Sequence, residues 1–100
     1  YNLLNVAMNY TKIRKIRKNL DFLDNKLLDL IKKRALLVNQ ILKQKKYKNQ
    51  IVDKKRINQI LKSVKLKSVK KNLDTKISNK IWKSMIKAFI DYEYRNFKKK

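Results

Sequence analysis

The chain has 100 residues, room for one small domain. It carries 29 Lys and Arg against 7 Asp and Glu, a net charge of +22 that draws anions to its surface. With neither Cys nor His there is no disulfide, thiolate or imidazole chemistry and no ordinary zinc site, and no apolar run approaches the ~20 residues of a membrane span. All but five of the cations are Lys, and Asn and Ile are abundant too. The charge therefore reads either as a nucleic-acid footprint or as a general bias in residue usage.

Residues 1–10 carry the apolar cluster Leu3, Leu4, Val6 and Met8, which either extends a helix or folds back on one. The chain opens at Tyr1 rather than Met, which leaves room for a segment upstream; the cytoplasm is the default expectation. From a cap at Thr11, a first helix is expected over about 11–46, unbroken by Gly or Pro. Its apolar residues Ile13, Ile16, Leu20, Leu23, Leu27, Leu30, Leu37 and Ile41 recur at 3 and 4, the spacing of one helical seam. Arg34 interrupts that seam, and a guanidinium is costly to bury unless an anion meets it. Arg34 is accordingly read as a ligand-binding residue.

At about 1.5 Å per residue such a helix is ~50 Å long, whereas a compact chain of this size has a radius of gyration near ~13 Å. It needs a partner, and a second copy of the same chain is the simplest one. Arg17, Arg34 and Lys45 point within about one side-chain width of the same direction. Lys45 lies ~16 Å beyond Arg34 along the axis, a gap that long side chains can close around a small molecule. Arg17 lies ~25 Å the other way, so it can join the same site only from an antiparallel partner helix.

Residues 46–52 form a polar break, after which Asp53 is a good cap for a second helix over about 54–68. Its expected buried stripe is Ile57, Ile60, Leu61, Val64 and Leu66. Arg56 lies in its first turn, where the helix dipole disfavours a cation; it serves either a function or a solvated face. A second connection over 67–72 leads to Asp74, the cap of a third helix over about 75–97. There Trp82, Ile86, Phe89 and Phe97 mark an inward stripe that includes Glu93, the only glutamate. Desolvation on that stripe favours the neutral acid, and a neighbouring Lys favours the carboxylate.

The inventory is thus four inward or near-inward cations, Arg17, Arg34, Lys45 and Arg56, with the acids Asp53 and Glu93. There is no nucleophile beside a base, no metal cluster and no Gly-rich phosphate loop. Such a set binds a small polyanion and stabilises charge without covalent catalysis and without a cofactor.

The stretch IRKNLDFLDNKLLDLIKKR, then Lys45, then VDKKR and IWKSMIKAFIDYEY, resembles the all-helical class of chorismate mutase over about residues 13–97. The ordered set Arg17, Asp24, Arg34, Lys45, Asp53 and Arg56 carries the resemblance. It implies an all-α domain of three helices, spanning 1–100, in an intertwined homodimer that converts chorismate to prephenate for aromatic amino-acid biosynthesis in the shikimate pathway. It further implies that Arg34 and Arg17 of the partner subunit hold the two carboxylates, that Lys45 and Glu93 donate to the ether oxygen, and that Arg56 and Asp53 line the pocket near the ring hydroxyl. Two positions depart from the family pattern. Ile57 stands where a Glu often takes the ring hydroxyl, and Ala88 or Phe89 where a small hydroxylated residue is expected. The alternatives are an isochorismate pyruvate-lyase on the same fold, a basic helical nucleic-acid binder, and a structural coiled coil whose register Arg34 sets.

Overall fold

A computed structural model describes residues 3–99, with side chains from residue 9 onward. Among the described residues it is helical, with no strand: α1 Leu3–Gln44, α2 Lys54–Lys70 and α3 Thr75–Asn96, with one 3-10 turn at Lys48–Gln50. By packing the chain falls into two units, Tyr1–Ala35 and Leu36–Lys100, and α1 contributes to both.

Among the described residues the first unit is helix alone. α1 begins at Leu3, eight residues before Thr11, so the N-terminal apolar cluster extends the helix; nothing between them is a Gly or Pro that would stop it. From Asn9 to Lys33 every side chain is exposed, the seam leucines included. Leu20, Leu23 and Leu27 keep 51–53% of their surface.

The second unit packs the end of α1, α2 and α3 around a small core of Leu42, Ile51 and Ile86. Each such side chain contributes about 1.5–3 kcal/mol when buried. Asp53 caps α2 by accepting from the Arg56 amide at 3.0 Å, and Asp74 caps α3 by accepting from the Lys76 amide at 2.8 Å. The end of α2 is a Schellman turn: the Leu73 amide donates to the Ser68 carbonyl at 2.9 Å and the Asn72 amide to that of Val69 at 3.2 Å. Asn72 takes φ 55°, a left-handed conformation that Asn tolerates better than most residues. That turn lets α2 run to Lys70, two residues past the expected 68.

Ile57, Ile60, Leu61 and Val64 are half-buried as the spacing predicts, but Leu66 is 59% exposed and is a correction to the stripe. The inward position after Val64 is four residues on, at Ser68, and Leu66 falls off that line. Ser68 meets Ser78 of α3: the hydroxyls are 2.7 Å apart, with the Val64 carbonyl 2.7 Å from Ser68 Oγ and the Thr75 carbonyl 3.4 Å from Ser78 Oγ. Both serines are buried, and their small side chains allow the two helices to approach closely there. A 3.4 Å hydrogen bond from the Tyr92 hydroxyl to Asn39 Oδ1 ties α3 to the last turns of α1.

Candidate functional site

Lys45 follows the last residue of α1, held by its own amide, which donates to the Leu42 carbonyl at 3.1 Å. Its ammonium contacts three acceptors: Glu93 Oε2 at 3.2 Å, Glu93 Oε1 at 3.3 Å and the Ile51 carbonyl at 3.4 Å. An ammonium has three protons, so this set uses all of them. Glu93 comes from α3, one turn beyond Phe89, and is 6% exposed. A carboxylate so far from water needs a paired cation, and Lys45 is that cation. Residues 48 apart in sequence are thereby brought into one ion pair.

Beside Lys45 opens a cleft of about 660 Å³, lined also by Gln50, Val52, Asp53 and Lys54. That volume lies in the range of small-molecule sites. Asp53 lines it while its Oδ1 caps α2 at the Arg56 amide. One residue therefore shapes the helix start and the cleft wall together. The Arg56 side chain is exposed; the half-buried Ile57 and Phe89 and the exposed Ala88 lie on α2 and α3. Arg17 and Arg34 belong to the first unit, Arg17 exposed and Arg34 half-buried on α1.

Of the residues expected from sequence, the fold joins Lys45 to Glu93 through an ion pair and Asp53 to Arg56 through a cap, with Lys45 and Asp53 sharing a cleft. The Ile51 carbonyl, the third acceptor on Lys45, has no signal in the sequence because a backbone atom carries no residue signature. Among the described residues no group of His, Cys, Asp and Glu could hold a metal ion, and no helix is long and apolar enough to cross a membrane. Chemically, the arrangement offers an ammonium at the edge of an open cleft, backed by the buried Glu93 carboxylate, which suits stabilisation of charge on a bound anion.

The family model for chorismate mutase type II matches residues 16–94. Searches of curated proteins and of solved structures found no match.

Proposed function

The chain belongs to the chorismate mutase type II family, and from that premise we propose a mechanism, an assembly and a set of site residues for it. As a member it is an intramolecular transferase that rearranges chorismate to prephenate. The observation that carries the site assignment is the Lys45–Glu93 pair at 3.2 Å, beside the cleft.

The reaction is a unimolecular Claisen rearrangement: the ether C–O bond breaks as a C–C bond forms. No nucleophile or proton shuttle is needed. The protein must hold the compact conformer and meet the charge that grows on the ether oxygen. In this proposal Arg34 and Arg17 of the partner subunit bind the two carboxylates, and Arg56 and Asp53 bound the ring. Lys45 turns one of its three protons from the Ile51 carbonyl or Glu93 to the ether oxygen. Both Glu93 oxygens accept from Lys45, so Glu93 acts as a second donor only after taking up a proton. A ~10⁶ acceleration corresponds to ~8 kcal/mol. One preorganised donor supplies about 3–4 kcal/mol of that, so two donors and the arginine clamp suffice.

The proposed assembly is a homodimer, supported by the uncovered seam of α1: Ile16, Leu20, Leu23, Leu27 and Leu30 are all exposed within one chain. A second antiparallel copy would cover them and bring in Arg17. Aromatic amino-acid biosynthesis in the cytoplasm is the setting that goes with this reading.

The test is the loss of chorismate absorbance with purified protein, run beside isochorismate. Turnover of chorismate to prephenate supports the assignment. Pyruvate release from isochorismate, with chorismate untouched, would replace it by the lyase.

A further inference from the structure

Tyr47 stands in the connection after α1, a segment the fold holds firmly. Gln50 Oε1 accepts from the Lys46 amide at 2.8 Å and the Tyr47 amide at 2.9 Å, while the Gln50 amide returns to the Tyr47 carbonyl at 3.0 Å. Neighbours on both sides are core: Leu42 is 5% and Ile51 3% exposed. Yet the Tyr47 side chain is 67% exposed, more than any other large apolar residue described. Packing within the chain does not explain a large ring displayed from a fixed loop.

That ring lines a cleft of about 410 Å³ whose other walls are Lys46, Lys48, Phe97 and Lys99. No acid lines it. The nearby Glu93, one helical turn before Phe97, is already neutralised by Lys45. The cleft is separate from the Lys45 cleft, with which it shares no lining residue. Two aromatic rings and three ammonium groups make a mixed demand: a flat π-face and more than one negative charge. A lone carboxylate on a ring leaves two lysines without a counter-charge; a base-free polyanion leaves Tyr47 in water. A nucleobase joined to phosphate meets both, because bases stack on aromatic side chains and phosphates attract lysines. The volume suits one nucleotide.

We propose that Tyr47, Phe97, Lys46, Lys48 and Lys99 form a nucleotide-phosphate site, with the base on Tyr47 and the phosphate among the lysines. The site does not depend on the chemistry assigned to Lys45 and Glu93. Its ligand comes either as a free nucleotide or as one unit of a single strand.

The experiment measures fluorescence anisotropy of a labelled ten-residue oligothymidylate on the full chain, with AMP, polyphosphate and benzoate as competitors. The proposal expects saturable binding that Tyr47→Ser weakens about tenfold, and that Lys46→Ser/Lys48→Ser makes less salt-dependent. A circular dichroism spectrum unchanged in both variants shows that the loss is local. Displacement by AMP identifies a free nucleotide as sufficient; binding of the oligonucleotide without AMP displacement identifies the strand. The proposal is overturned if no binding is seen, if polyphosphate or benzoate competes as well as the nucleotide ligand, or if Tyr47→Ser binds like the parent chain.

Discussion

The two units use apolar residues in opposite ways. Over residues 9–33 α1 places Ile13, Ile16, Leu20, Leu23, Leu27 and Leu30 on one seam and buries none of them within the chain. Residues 36–100 have a less regular pattern and do build a core, Leu42, Ile51 and Ile86, together with the buried Glu93 and the Ser68–Ser78 contact. The contrast teaches that periodicity reports which face must be covered and says nothing of what covers it. A seam spaced at 3 and 4 over several turns is built for another helix. The second unit, by contrast, satisfies its inward groups with its own three helices.

The largest expected effect comes from attacking the seam. Leu27→Lys puts a charge at a position that is 53% exposed in one chain and covered in the proposed dimer. Sedimentation should show loss of the dimer and circular dichroism a loss of helix. An unchanged dimer would mean that α1 meets nothing along Leu27.

Arg34→Ala sharpens the comparison from inside α1, since Arg34 is the first half-buried residue after the exposed run 9–33. Turnover should fall at least about a thousandfold while sedimentation still shows a folded dimer. Retained activity would remove Arg34 from the site.

A smaller effect is expected at Glu93, in the second unit. In the proposed role Glu93 faces the ether oxygen beside Lys45, and Glu93→Gln keeps the shape while carrying a permanent N–H donor. Turnover should be retained in Glu93→Gln and fall about a hundredfold in Glu93→Ala, with the circular dichroism spectrum of both unchanged. Equal turnover in the two variants would refute the assigned role.

The smallest effect is expected at the serine contact. Ser78→Ala removes one partner from Ser68 Oγ, which keeps the Val64 carbonyl at 2.7 Å. Urea unfolding should register a loss of about 1 kcal/mol, with turnover retained. A much larger loss would show that the α2–α3 contact organises the second unit.

Much of this was legible in the sequence, for identifiable physical reasons. Asp53 and Asp74 were readable as caps because a short acidic side chain before a periodic run meets unpaired amides. Glu93 was readable as a group in need of a partner because an acid on an apolar stripe demands one, and the ion pair with Lys45 supplies it. The start of α1 was not, because Asn5, Asn9 and Thr11 are all cap-type residues and no Gly or Pro near them singles one out as the boundary. Leu66 lies outside and Ser68 inside for one reason: apolar spacing marks a greasy face, whereas the close approach of two helices selects small polar residues that bond each other. The cleft at Tyr47 was equally hidden, since it joins residues about 50 apart whose types, Lys and aromatic, recur throughout the chain.

A shared site between copies can be tested by mixing two inactive variants. Arg17→Ala and Lys45→Ala are each expected to be inactive in their own homodimers. When the two are refolded together at equal amounts, half the dimers are mixed, and each mixed dimer holds one complete site of two. Chorismate turnover should return to about a quarter of the parent rate if Arg17 serves the partner's site. If Arg17 and Lys45 served the same site within one chain, every site in the mixture would lack one of them, and no activity would return.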